Sequence, residues 1–225
     1  MRRLPRPCLR RENGVKTARE VLLATRSEGK IRELLPMLAA AGLRGVTLAA
    51  AGLAYASEEE GIECYDTFES NSLAKAQWFS ARASGMLVLA DDSGLAVDAL
   101  GGAPGVWSKR WAAETGLDGH ALDAANNAKL VRELTGVRDR RARYVCVAAI
   151  AWFGGELLAR GECAGTILAS PVGREGFGYD PHFSSDELGE SFGVASIAAK
   201  ERVSHRGRAV RAAIAMLVAH EKNGS

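Results

Sequence analysis

The chain has 225 residues, 47% hydrophobic and 25% charged, an ordinary soluble composition with enough apolar mass to build its own core. Its net charge of +2 is uneven: Arg2, Arg3, Arg6, Arg10, Arg11, Lys16 and Arg19 face only Glu12 and Glu20, which leaves 22 basic against 25 acidic groups beyond residue 20. This mildly acidic body argues against a nucleic-acid-binding face, no apolar run approaches the ~18 residues of a membrane span, and Cys8, Cys64, Cys146 and Cys163 show no C-x-x-C spacing, so they read as free thiols of a cytosolic protein.

Residues 1–20 lack the apolar stretch of a secretory signal and have too few apolar groups to pack. They read as a disordered basic extension, with Val15 near the true beginning. A basic arm touching nucleic acid and an Arg-rich transit peptide are the alternatives. A domain over 21–222 follows.

Glu20–Thr25 predicts a short strand. Ile31, Leu34, Leu35 and Leu38 then fall at helical spacing, with Gly42 to close the helix and Pro36 to kink it. Val46–Leu48 predicts a second strand. Asp66 with Glu69 fits a capping box for a helix over Thr67–Ala83. Met86–Ala90 predicts a buried strand ending at Asp91-Asp92-Ser93-Gly94. Gly119–Leu134 predicts a helix. Arg143–Phe153 and Glu156–Thr166 flank Gly154-Gly155, a hairpin signal. Ser204 can cap a last helix over His205–His220, with Val210, Ala213, Ile214, Leu217 and Val218 facing inward. This order, βα units and then an antiparallel hairpin, predicts one α/β domain with a mixed sheet.

Several segments could carry chemistry. Thr25, Arg26, Ser27, Glu28, Gly29 and Lys30 join a strand to a helix start, where free amides and the helix dipole favour an anion. Lys30 is unfavourable in a first turn unless a phosphate is near, although an ordinary junction with a solvated lysine reads the same way. Asp91 and Asp92 repel each other, and a divalent cation would relieve that cost; hard oxygens beside phosphate suggest Mg²⁺. A strand-capping turn is the plain alternative. Glu58-Glu59-Glu60 could add a ligand or simply be a solvated loop. In Gly176-Phe177-Gly178-Tyr179-Asp180, glycines admit a ligand to the backbone and Phe177 could stack on a base. A hairpin with a core Phe is equally simple. Lys200, Ser204, His205 and Arg206 place donors near a helix start, suited to phosphate or a purine carbonyl edge, or to a surface turn.

Taken together these segments resemble the inosine triphosphate pyrophosphatase family, which hydrolyses non-standard purine nucleoside triphosphates. The resemblance runs in order through Leu22–Lys30, Thr67–Ala76, Ala90–Gly105, Gly176–Pro181 and Ser204–Gly207, nearly all of residues 21–220. It implies an elongated α/β domain with two lobes, a central mixed sheet flanked by helices, an active site in the cleft between the lobes, and a cytoplasmic homodimer without nucleic-acid or membrane partners. It further implies that Asp92 is the catalytic residue, that Glu58 and Asp92 hold Mg²⁺, and that Thr25–Lys30, Lys75 and Ser93 contact phosphate or substrate. Phe177, Gly178, Tyr179, Asp180, Lys200, His205 and Arg206 would contact the base and the rest of the substrate. Asp91 would hold the metal or the geometry of Asp92.

The chain departs from the family pattern at Ser27, usually Asn, which can replace only part of an amide's hydrogen bonding. It also departs at Ser70-Asn71-Ser72, at Phe192–Ala195, at Pro36, and through the longer segment Glu63–Asp66. The alternatives to this reading are a related pyrophosphatase with another base preference and a non-catalytic nucleotide- or nucleic-acid-binding protein using the basic extension.

Overall fold

Seven strands form one sheet in the order β2-β1-β3-β4-β5-β6-β7 in a computed structural model that describes residues 18–113 and 116–223. The expectations for Cys8, Val15 and the basic extension as far as residue 17 lie outside the described residues. The first strand, β1 (Arg19–Leu23), begins one residue before and ends two residues before the strand Glu20–Thr25 read from the sequence. It is followed by α1 (Glu28–Ala40), β2 (Leu43–Thr47), α2 (Phe68–Ser80) and β3 (Leu87–Val97). Then come α3 (Gly119–Glu133), β4 (Arg141–Trp152), β5 (Gly155–Ile167), β6 (Phe183–Ser185), β7 (Glu190–Ser191), α4 (Ile197–Val203) and α5 (His205–Asn223).

The sheet is mixed, as the element order implies. β1 runs parallel to both β2 and β3, whereas β3 through β7 pair antiparallel. The change of direction occurs on β3, whose first residues pair with β1 and whose residues Val88–Val97 pair with β4. Side chains alternate between faces along a strand, so β3 feeds two cores. Leu87 and Leu89 pack with Leu34, Met37 and Leu38 of α1 and Ala209, Val210, Ala213 and Leu217 of α5. Val88 and Ala90 pack with Ala76 and Phe79 of α2.

Some local readings change. β3 does not stop at Ala90 but continues through Asp91-Asp92-Ser93-Gly94 to Val97, because β4 offers a full antiparallel partner there. The cap of α2 is Thr67, whose hydroxyl accepts from Ser70 N–H at 3.2 Å, in place of Asp66. The β4–β5 turn is Phe153-Gly154, with Gly155 already paired to Trp152. Ser204 does cap α5, accepting from Gly207 N–H at 3.1 Å, but Val218 faces solvent. α1 runs through Pro36 without ending.

Candidate active site

The site forms where β1 ends and β3 continues. The last pairings between them are Leu23 with Leu89 and the bond from Ala24 N–H to the Leu89 carbonyl, 2.8 Å. Two residues further along, the Asp91 carbonyl points toward the same side and finds no strand there. A buried carbonyl needs a donor, and two lysines supply it. Lys75 of α2 donates at 2.6 Å and Lys30 of α1 at 3.3 Å. The helices lie on opposite faces, so both faces of the sheet send a cation to one backbone atom.

The two aspartates part company by strand alternation. Asp91 continues the Leu87–Leu89 row and is fully enclosed. Its Oδ2 meets Lys30 Nζ at 3.0 Å and Arg206 Nε at 3.1 Å. Burial opposes its charge, yet Lys30, Arg206 and Lys75 overcome that and hold its carboxyl far below the carboxylate range. Lys30 and Arg206 thus offset the charge of Asp91 from within the protein. Asp92 continues the Val88–Ala90 row. Asn71 of α2 donates to its Oδ2 at 3.0 Å and Ser93 N–H to its Oδ1 at 2.9 Å. Among the described residues no cation forms an ion pair with Asp92. Burial pushes its carboxyl up, partly offset by the charges of Lys30 and Lys75.

Gly94 is required by what lies over this strand. A Cβ there would stand 2.2 Å from the Gly105 carbonyl oxygen. The 3-10 turn Gly105–Arg110 thus lies directly on β3, and the Ser108 hydroxyl accepts from Leu95 N–H at 2.8 Å.

A chain of buried ion pairs leads away from Asp91. Arg206 pairs with Glu33, Glu33 with Lys200 at 2.7 Å, and Lys200 with Asp180 at 2.6 Å. Arg206 also donates to the Ser93 hydroxyl at 2.8 Å. Glu33 is kept below its ordinary range despite burial by the Arg206 and Lys200 charges. The Phe177 ring covers this chain, with Lys200 Nζ 5.1 Å and the Arg206 guanidinium carbon 5.5 Å from its centroid. Gly29 also packs against the ring, where a Cβ would come within 2.6 Å of it. The predicted phosphate loop and the predicted base loop therefore touch.

The remaining predicted residues divide by what their atoms already do. Ser27 caps α1, its hydroxyl accepting from Lys30 N–H at 3.4 Å, and Thr25 Oγ1 accepts from Ser27 N–H at 3.2 Å. Glu28 is exposed in the first turn of α1. Arg26 turns away to a two-pronged pair with Glu59, 2.7 and 2.6 Å. Gly178 donates to Asp123 at 2.8 Å and accepts from Asn127 at 2.9 Å, so α3 fixes that loop. The Tyr179 hydroxyl donates to the Ser108 carbonyl at 2.8 Å. Asp180 accepts from Phe177 N–H at 2.8 Å and from the Tyr144 hydroxyl at 3.3 Å. The His205 ring stacks on Tyr144, centroids 4.5 Å apart and planes 8° apart, and its buried Nδ1 has no partner among the described residues.

Glu58 projects from the exposed 3-10 turn Ser57–Gly61 and makes no contact with Asp92. The second acidic group whose charge reaches Asp92 is Glu63, which is paired with Lys75. Among the described residues no three His, Cys, Asp or Glu side chains converge as a metal cluster. Sequence reasoning missed Glu33, Glu63, Asn71 and Tyr144. The available signal for Glu33 was its spacing from Lys30, one helical turn on, at the polar end of the apolar stripe of α1.

Residues 21–216 match the Ham1 family. The chain is 43% identical over 200 residues to the dITP/XTP pyrophosphatase of Burkholderia pseudomallei (strain K96243), covering 88% of this chain and 92% of the relative. It is 45% identical over 207 residues to the dITP/XTP pyrophosphatase of Nocardia farcinica (strain IFM 10152), covering 90% and 97%. The fold is similar to the Staphylococcus aureus Ham1 protein, with a TM-score of 0.74 at 30% identity, covering 90% of this chain and all of that one. It is also similar to a nucleoside-triphosphatase, dITP/XTP pyrophosphatase, of Mycobacterium abscessus, with a TM-score of 0.63 at 35% identity, covering 86% and 97%.

Proposed function

The chain belongs to the Ham1 family, and from that footing we propose that it hydrolyses non-standard purine nucleoside triphosphates such as dITP, XTP and ITP to the monophosphate and pyrophosphate. The observation that carries the reading is the contrast between the adjacent carboxylates. Asp91 is consumed by Lys30 and Arg206, while Asp92 lies beside Lys30 and Lys75 with no cation of its own. An anion left uncompensated in a basic surround suits a group that works on a phosphoanhydride.

The residues fit a divalent metal of a particular kind. Asp92 and Glu63 supply hard oxygens, and no third ligand group joins them among the described residues. Mg²⁺ is commonly held by one or two carboxylates plus substrate phosphates, without a dedicated protein cage. We assign Asp92 and Glu63 to it, in place of the pair Asp92 and Glu58. Bound there, Mg²⁺ supplies charge neutralisation at the phosphates and lowers the pKa of coordinated water.

In this mechanism Lys30, Lys75 and the free amides at the start of α1 bind the triphosphate. Asp92 accepts the proton of the water that attacks the α-phosphorus, and pyrophosphate leaves in line. Asn71 fixes the orientation of the Asp92 carboxylate. Phosphoryl transfer depends chiefly on positioning and charge stabilisation, which this arrangement supplies.

Base choice rests on unspent donors. Arg206 has used Nε, one Nη1–H and one Nη2–H, and a guanidinium carries five N–H groups. A purine with a carbonyl at position 6 satisfies such donors, whereas the amino group of adenine leaves them unpaired. The domain works in the cleft at the β1–β3 junction, with Mg²⁺ as cofactor, and as a cytoplasmic homodimer; no helix of the described residues is long and apolar enough to cross a membrane. The test is a panel of ITP, dITP, XTP, GTP, ATP and pyrimidine triphosphates with purified protein and Mg²⁺. Pyrophosphate release is expected from the first three. Equal or faster release from ATP or a pyrimidine triphosphate, or none from any, overturns the reading.

A further inference from the structure

The inner face of α3 is polar where a helix normally buries apolar groups. Positions 123, 126, 127 and 130 fall at i, i+3, i+4 and i+7, the spacing by which a helix faces a core. Of these only Leu130 is apolar, and it packs with Leu95, Val97 and Tyr179. The other three are Asp123, Asn126 and Asn127, residue types that a helix interior disfavours relative to alanine.

Each of the three spends its polar atoms on the backbone of a loop. Buried Asn126 accepts from Ala112 N–H at 2.7 Å and donates to the Lys109 carbonyl at 2.9 Å, so it holds the end of the turn Gly105–Arg110. Asp123 accepts from Gly178 N–H at 2.8 Å, and Asn127 donates to the Gly178 carbonyl at 2.9 Å. Among the described residues the Asn127 side chain makes no other hydrogen bond, and its buried Oδ1 is left without a partner. A bare buried oxygen costs stability, so Asn127 is explained by the loop it holds and not by α3.

Gly178 is where such a hold takes effect. Gly176 and Gly178 flank Phe177, and both have left-handed backbone, with φ +75° and +61°. Glycine adopts other conformations at little cost, so the local sequence does not fix the ring between them. Asp180 anchors Phe177 itself, accepting from its N–H at 2.8 Å. α3 anchors the next residue through both of its polar backbone groups. Thus held, the ring lies 5.1 Å from Lys200 Nζ and 5.5 Å from the Arg206 guanidinium carbon.

We propose that Asp123 and Asn127 are positioning residues for base selection, acting through Gly178 on the Phe177 ring and the donors beside it. This rests on the reading of residues 176–180 as the base-binding segment. With Gly178 released, the ring no longer shields Lys200 and Arg206 from water. Water then satisfies donors that adenine would otherwise leave unpaired, and a purine with a carbonyl at position 6 loses its advantage. Lys30 and Lys75 are carried by α1 and α2, so phosphate binding does not depend on this hold.

The experiment measures binding of inosine monophosphate, adenosine monophosphate and Mg²⁺-pyrophosphate by calorimetry, with steady-state turnover of dITP. The proteins are wild type, Asn127→Ala, Asn127→Asp, Asp123→Ala and Asp123→Asn. Loss of one such hydrogen bond corresponds to about a tenfold change. Asn127→Ala and Asn127→Asp lack the donor, and Asp123→Ala lacks the acceptor. Each is expected to lower the ratio of inosine to adenosine monophosphate affinity about tenfold and to raise KM for dITP similarly, with kcat and pyrophosphate affinity unchanged. Asp123→Asn keeps an acceptor oxygen and is expected to restore the ratio. An unchanged ratio in Asn127→Ala, or a pyrophosphate affinity that falls along with the ratio, overturns the proposal. So does a wild type with no preference between the two monophosphates. Monophosphate binding is read without turnover. A wild type that hydrolyses no nucleotide, yet prefers inosine monophosphate and loses that preference in Asn127→Ala, therefore refutes the pyrophosphatase reading and supports the positioning role.

Discussion

Glu33 of α1 and Arg206 of α5 are joined by a buried ion pair although 173 positions separate them in the chain. Each also bonds a second partner of opposite charge, Lys200 at 2.7 Å for Glu33 and Asp91 at 3.1 Å for Arg206. The pair therefore links the catalytic strand to the segment that carries the proposed base contacts. Truncating one member of a buried pair leaves an uncompensated charge and costs about 3–5 kcal/mol. Glu33→Gln is expected to lose that much stability in urea unfolding and to narrow the preference for dITP over dATP, because the Arg206 donors are no longer aimed. A loss below about 1 kcal/mol would mean that water reaches the pair.

The adjacent aspartates predict opposite phenotypes. Asp91 neutralises buried Arg206 and partly buried Lys30, so Asp91→Asn is expected to destabilise the fold by about 3–5 kcal/mol. Asp92 has no cation partner and its charge is disfavoured by burial, so Asp92→Asn is expected to leave the melting temperature unchanged or slightly higher. Its turnover is expected to fall by at least about 10²–10⁴-fold, the range for losing a general base. Retained turnover in a folded Asp92→Asn would remove Asp92 from the chemistry.

The metal assignment separates Glu63 from Glu58. With Glu63→Gln, half-maximal activity is expected at a Mg²⁺ concentration about tenfold higher, and chelation should abolish activity in both variants and wild type. Glu58 is exposed and apart from Asp92, so Glu58→Gln is expected to titrate with Mg²⁺ as wild type does. The reverse result would restore Glu58 as the ligand.

Much of this fold was legible locally, and the site only in part. β1, α1 and the β4–β5 hairpin are encoded by apolar period, a Ser27 cap and a glycine turn, all short-range features. β3 was cut short because Asp-Asp-Ser-Gly has every mark of a turn; what keeps it extended is β4 on one side and Lys30, Lys75 and Arg206 on the others. Arg206 lies 115 positions from Asp91, and no local pattern announces that meeting. For the same reason the two aspartates, adjacent in sequence, meet different surroundings, since strand alternation sends them to opposite faces. Motif order nevertheless brought Lys30, Lys75, Asp92, Phe177, Lys200 and Arg206 forward together, and the structure gathers all of them around the β1–β3 junction. Arg26 and Glu58, whose neighbours lie in the acidic turn, are the ones it directs elsewhere.

His205 supplies a pH signature for the folded state. Its imidazole is buried against Tyr144, and burial, followed by the charges of Arg206 and Lys200, lowers its pKa well below 6.5, with Asp91 pulling the other way. Above about pH 6.5, the ordinary histidine value, both folded and unfolded chains carry it neutral, and the contribution is fully present. Below that value the unfolded chain takes up a proton that the folded chain refuses, so stability falls by about 1.4 kcal/mol per pH unit. Glu33 and Asp91, both held low, add their own loss only below about pH 4. Between about pH 6.5 and 4.5 the histidine is thus read separately from these carboxylates. Urea unfolding across that window is expected to show a slope in wild type that is smaller by one proton in His205→Phe, which keeps an aromatic ring on Tyr144. Identical slopes in the two proteins would show that His205 takes up its proton within the folded protein.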